Sequence, residues 1–135
     1  MDHSFSTTAE GYQMDARVSV IGKDLLITLT GGDTPHIGTV TTFTKKDPVQ
    51  TIRYPSHHGR FHKDDVLAEA LAKEIKEKVP GNCLITSGVH IDGITQAQIK
   101  VSYKMAQTIG LQIAQWLDKT TFDAKEPVYT HYHKK

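Results

Sequence analysis

Asp15-Ala16-Arg17-Val18-Ser19-Val20-Ile21-Gly22-Lys23-Asp24-Leu25-Leu26-Ile27-Thr28-Leu29-Thr30 is the stretch on which the fold turns. Ala16, Val18 and Val20 alternate with Arg17 and Ser19. Successive strand side chains point to opposite faces, so this period of two predicts a half-buried strand. Leu25, Ile27 and Leu29 repeat the pattern against Thr28 and Thr30. Gly22-Lys23-Asp24 between the two runs is a turn signal, which makes them a hairpin.

Downstream, Gly31-Gly32-Asp33-Thr34-Pro35 breaks the alternation. Ile37 to Phe43 is β-branched and predicts a third strand; Val49 to Tyr54 predicts a fourth, with Lys45-Lys46-Asp47-Pro48 turning between them. A helix follows Pro55 to Lys63. Asp64 or Asp65 can cap it, because a carboxylate accepts bonds from unpaired backbone N–H groups. Leu67, Leu71, Ile75 and Val79 form its buried stripe, and Pro80-Gly81 stops it. Cys83 to Ile91 predicts a fifth strand, with Cys83, Ile85 and Ser87 on one face and Thr86, Gly88 and His90 on the other. Thr95 and Gln98 fit a capping box, in which each residue's side chain bonds the other's backbone N–H. Met105, Ile109, Ile113 and Leu117 continue that second helix to about Lys119.

The order ββββαβα predicts an α+β fold. Its sheet is mostly antiparallel, with about five strands and both helices on one face. Residues 1–13 read as a flexible leader, 14–119 as a single α+β domain, and 120–135 as a C-terminal tail or arm. An open sheet face and free edges favour a homodimer, the commonest closed assembly.

The chain has 135 residues, enough for a self-sufficient core. Sixteen Lys and Arg against fifteen Asp and Glu give +1, which supplies no general attraction for nucleic acid or anionic membrane. One cysteine, Cys83, excludes an intrachain disulfide or a cysteine cage for metal, and favours a cytoplasmic setting. The N-terminus has no basic and apolar signal pattern, and no apolar run approaches a membrane span.

Three polar clusters carry the candidate chemistry. In Gly31-Gly32-Asp33-Thr34-Pro35-His36-Ile37-Gly38, paired glycines either turn backbone N–H groups towards an anion or serve a connection that needs positive φ. Arg60, Phe61, His62 and Lys63 lie just before a helix N-terminus. There a guanidinium and an ammonium suit a phosphate or carboxylate, with a solvated loop as the alternative. The same two cations argue against a metal on the neighbouring histidines. Gly88 and His90 share one strand face, where Gly88 leaves room for a ligand or for another backbone. Cys83 is on the opposite face and is a poor nucleophile. No Ser-His-Asp signature or paired carboxylate site is present.

Together these clusters resemble a known family. Thr30-Gly31-Gly32-x-x-Pro35-His36-Ile37-Gly38-x-Val40-Thr41-Thr42, Gly59-Arg60-Phe61-His62-Lys63-Asp64 and Gly88-x-His90-x-x-x-Ile94-Thr95-x-Ala97-Gln98-Ile99 are similar to segments of the LpdD-like proteins encoded with gallate decarboxylase. The resemblance spans about Gly11 to Leu117. It implies a fold similar to proteasome assembly chaperones and a non-catalytic chaperone for prenylated FMN (or FMN). The implied partner is the large subunit of a UbiD-type phenolic acid decarboxylase, with a flavin prenyltransferase as a second. On that reading Arg60, Lys63 and the Gly31-Gly32 nest would hold the phosphate. His36, His62 and His90 would bond the ring, and Phe61 would stack on it. Two other classes remain open: a small enzyme using His36, His62 and His90 as acid/base groups, and a purely structural decarboxylase subunit.

Overall fold

The computed structural model describes residues 2–55, 64–122 and 125–130. Six strands run β1 (Asp2–Ala9), β2 (Tyr12–Ile21), β3 (Asp24–Gly32), β4 (Thr39–Phe43), β5 (Gln50–Arg53) and β6 (Cys83–His90). Helix α1 (Asp64–Ile75) precedes β6, and α2 (Gln96–Lys119) follows it. The α+β class holds. The sheet has six strands, in the order β1-β2-β3-β6-β4-β5.

Two expectations are corrected. The first concerns the leader. Asp2–Ala9 is an edge strand paired antiparallel with β2, from Asp2 opposite Ser19 to Ala9 opposite Tyr12. Its turn is Glu10-Gly11, both at positive φ (48° and 76°), which suits the twist of a two-residue hairpin. Phe5 and His3 face α2, where they meet Trp116 with ring centroids 6.0 Å and 4.6 Å away. Both rings converge on this one residue of α2, which holds a strand that is otherwise polar up to Ala9.

The second correction concerns pairing. Strands β3 and β4 are sequential but not adjacent. Strand β6 lies between them, parallel to β3 (Leu25 opposite Cys83, Gly32 opposite His90) and antiparallel to β4 (Phe43 opposite Cys83, Thr39 opposite Ser87). The sheet stays mostly antiparallel, as expected, with β3–β6 its one parallel pair among the described residues. Strand β6 buries Cys83, Ile85 and Ser87 almost fully on its inward face, as a strand flanked on both sides does. The segment between Gly32 and Thr39 must then cross over the end of β6.

The core lies between the sheet and both helices. Met14, Val18, Ile27, Leu29 and Ile85 meet Leu71, Ile75, Ile109 and Ile113 there. Leu67, Leu71, Ile75 and Val79 are all buried, as their spacing requires. The helices approach closely at Gly110, where a Cβ would sit 2.9 Å from Glu74 Cβ. The capping box forms: Gln98 N–H donates to Thr95 Oγ1 at 3.1 Å, and Thr95 N–H donates to Gln98 Oε1 at 3.0 Å. Tyr12 reaches the same helix through a hydrogen bond between its hydroxyl and Ser102 Oγ, and burial pushes its pKa above the usual tyrosine value.

The opposite sheet face carries no helix. By alternation its two central rows across β3, β6, β4 and β5 read Leu26, Leu84, Thr42, Gln50 and Thr28, Thr86, Val40, Ile52.

Burial pushes the Cys83 thiol from 9.0 up to about 12. The folded chain therefore favours the neutral thiol. That contribution to stability is complete below the unfolded thiol's pKa and is lost as pH climbs from about 9 towards 12. Cys83 is expected to resist alkylation at pH 8 in the native state and to react only on global opening. Labelling that keeps pace with a small free thiol would contradict this burial.

Candidate functional site

The crossing of β6 builds the candidate site. Gly32 has a positive φ of 78°, which turns the chain out of β3. Asp33 N–H then donates to the His90 carbonyl at 2.6 Å, and Thr34 N–H bonds the same oxygen at 3.4 Å. The two amides that follow the glycine pair are thus taken by the chain itself, and the positive φ at Gly32 serves the connection. A Cβ on Gly32 would collide with the His90 carbonyl, and one on Gly31 would sit 3.0 Å from the Gln13 carbonyl.

The segment next passes directly over Gly88. A Cβ there would overlap the His36 carbonyl, so what Gly88 admits is another backbone. On the far side of β6, Gly38 N–H donates to the Ser87 carbonyl at 2.8 Å and leads into β4. Gly31, Gly32, His36, Gly88 and His90 therefore meet at one end of the sheet, although they lie up to 59 positions apart in the chain.

Each imidazole there has a carboxylate beside it. His36 Nδ1 is 2.9 Å from the Thr34 carbonyl, which turns Nε2 towards Asp64 Oδ2 at 3.4 Å. The His90 ring is half-exposed, and its Nε2 lies 2.9 Å from Asp92 Oδ1. Asp33 ties the crossing segment to the end of β6 by accepting from Asp92 N–H at 2.8 Å.

Asp64 and Asp65, the first residues of α1, are both buried and reach the sheet. Asp64 Oδ1 accepts from Val89 N–H at 2.9 Å, where β6 has run past the start of β4 and lacks a ladder partner. Asp65 takes the Arg53 guanidinium. Below them Thr39 Oγ1 and Ser87 Oγ, on directly opposed residues of β4 and β6, are buried without a hydrogen-bond partner among the described residues.

Arg60, Phe61, His62 and Lys63 lie outside the described residues. The residues flanking their segment belong to the site. Tyr54 N–H donates to the Gly38 carbonyl at 2.9 Å, and Asp64 lies against His36. Among the described residues this end is acidic. Asp33, Asp64, Asp65 and Asp92 stand against one guanidinium, Arg53, and no group of three or more His, Cys, Asp or Glu is placed to hold a metal ion.

Sequence reasoning missed Asp33 and Asp92, and read Asp64 only as a helix cap. The legible signal was the recurrence of Asp beside each His-bearing break. Their pairing depends on the crossing, which no local pattern encodes.

Comparison with known proteins bears on the whole domain. The chain is 46% identical over 126 residues to Protein LpdD of Lactiplantibacillus plantarum (strain ATCC BAA-793 / NCIMB 8826 / WCFS1), covering 93% of each chain. A solved structure described as a novel chaperone complex for yeast 20S proteasome assembly aligns with 86% of this chain and 97% of its own. Its TM-score is 0.48 and its identity 13%. Residues 8–118 match the model described as the prenylated flavin chaperone LpdD-like domain. The chain belongs to the LpdD-like prenylated flavin chaperone family.

Proposed function

We propose that this chain binds prenylated FMN and delivers it to the large subunit of a UbiD-type phenolic acid decarboxylase, without itself catalysing a reaction. A flavin prenyltransferase would supply the cargo, and the exchange would take place in the cytoplasm. The observation that carries this reading is the meeting of two of the family's sequence segments, Gly31 to Gly38 and Gly88 to His90, at one sheet end, in a chain that matches the family over residues 8–118.

The residues at that end suit such a molecule. His90, its Nε2–H on Asp92, keeps Nδ1 as an acceptor for a ring N–H. Ile37 and Tyr54 are more than half exposed, and the Tyr54–Gly38 backbone bond keeps them on neighbouring segments, which offers a flat ring an apolar wall. Gly31, Gly32 and Gly88 would shape the crossing rather than touch the cargo. The phosphate needs cations, and we assign it to Arg60 and Lys63, with Phe61 and His62 beside them. Tyr54 before that stretch of sequence and Asp64 after it both touch the site. When bound to the decarboxylase, the cofactor supplies the electrophilic ring that takes up the phenolic acid. In the carrier it is held and shielded.

The test is anaerobic titration with prenylated FMN and with FMN, followed by transfer to the apo-decarboxylase. Micromolar binding and restored decarboxylation are expected. Arg60→Ala should weaken binding by roughly tenfold to a hundredfold, because hydrogen bonds to a charged group contribute about 1.5–3 kcal/mol. Arg60→Lys should recover part of it, since an ammonium lacks the bidentate fork. No flavin binding at micromolar protein would end this reading.

The two imidazole–carboxylate pairs favour a second reading, acid/base catalysis on a small anionic substrate. Turnover of phenolic acids by the chain alone, lost in His90→Ala, would replace the carrier with an enzyme.

A further inference from the structure

We infer that the sheet face without helices is the seat of a second copy of this chain, packed sheet on sheet. The inference does not depend on the flavin reading.

The first observation is what the face lacks. The two central rows across β3, β6, β4 and β5 contain no ionisable side chain. A solvated sheet face ordinarily alternates charged residues into water, and protein surfaces carry roughly 25–35% of them. Charged residues make up 23% of this chain, so composition alone would put about two of them among these eight positions.

The second observation is what the face presents. Ile52 is 68% exposed and Ile21 61%, with Leu26 and Leu84 between them. A shallow depression of about 370 Å³, bordered by Ile21, Leu26, Thr42 and Leu84 with Asp24 and Asn82 at its end, gives side chains of a facing sheet somewhere to seat. β-Branched Thr28, Thr86 and Val40 make the rest a smooth surface, of the kind that packs about 10 Å from a second sheet.

Charge and area select the occupant. The outward ionisable residues of β2 are Asp15 and Arg17, adjacent and of opposite sign, so the face complements itself under a twofold. An anionic membrane or nucleic acid would require a run of cations that the face does not have. Six strands at about 4.8 Å spacing and strands of about 4–10 residues give roughly 600 Å² in projection. Side-chain relief brings this towards the about 800 Å² per partner of a stable dimer.

The test is the mass of the full chain by light scattering at up to about 100 µM, with and without substitutions on the face. A dimer of twice 15.0 kDa is expected. Thr86→Arg and, separately, Ile52→Lys should weaken association by at least about a hundredfold, because each buries two unpaired charges across the twofold. Ile52 is exposed on an edge strand, so its variant keeps the monomer fold even if Thr86→Arg does not. Leu111→Arg, on the exposed side of α2, should leave the dimer intact. A monomeric wild-type chain at the highest concentration overturns the inference. So does dissociation by Leu111→Arg with the sheet variants still dimeric, or capture of the decarboxylase on this face by a monomer.

Discussion

Gly88→Ala is expected to lose about 3 kcal/mol or more of stability, about 10 °C in midpoint for a domain of this size. The cause is one atom. A Cβ at this position would lie inside the His36 carbonyl oxygen, with the His36 ring 3.0 Å away. Backbone on both sides prevents a local adjustment. On one side Gly88 belongs to the ladder of β6 with β3, opposite Thr30; on the other the crossing segment is tied by Asp33 and Thr34 to His90, and by Gly38 to Ser87. Either the crossing lifts off β6 or β6 shifts in the sheet. Gly93→Ala is the control. Gly93 has a positive φ of 61° but nothing within 4 Å, so it should cost only about 1 kcal/mol of backbone strain. Calorimetry of the two variants decides. Similar midpoints for both would mean that the crossing does not run over Gly88.

Asp64→Ala is expected to cost about 2–4 kcal/mol. The carboxylate is buried and links three elements. It starts α1, accepts from Val89 N–H at the exposed end of the β6 ladder, and stands 3.4 Å from His36 on the crossing segment. Removing it strands a buried backbone donor, and an unmade bond costs more than the bond itself contributes. Asp64→Asn keeps an oxygen for Val89 and should lose roughly half as much. Urea denaturation at fixed pH measures both. A loss below about 0.5 kcal/mol in the alanine variant would make Asp64 an ordinary surface cap.

These two residues divide what was readable from what was not. Gly88 was visible in the sequence as a strand glycine, a place where something comes close. That the visitor is the chain's own crossing segment, rather than a ligand, depends on β6 sitting between β3 and β4. Asp64 was visible as a helix-start carboxylate. Its second task, closing the ladder at Val89, exists because β6 extends past β4. Local pattern contains neither fact.

The edge strand β1 shows the same limit from the other side. His3, Phe5, Thr7 and Ala9 do alternate, but their alternation is mostly polar and looks like a leader. What makes it a strand is Trp116, brought up from 111 positions along the chain to meet Phe5. The turn that allows it, Glu10-Gly11, lacks the Asn or Asp that usually announces a hairpin.

By itself the sequence determined the class of fold, the inward faces of three strands and two helices, the capping box at Thr95, the burial of Cys83 and the family. Each follows from a period, a cap or a run of residues close together in the chain, where sterics and hydrogen bonding act locally. Only the tertiary structure decided the strand order, the parallel pairing of β3 with β6, and the carboxylates that meet His36 and His90. Those depend on which strand gains most by being central, and burial is a property of the whole assembled sheet.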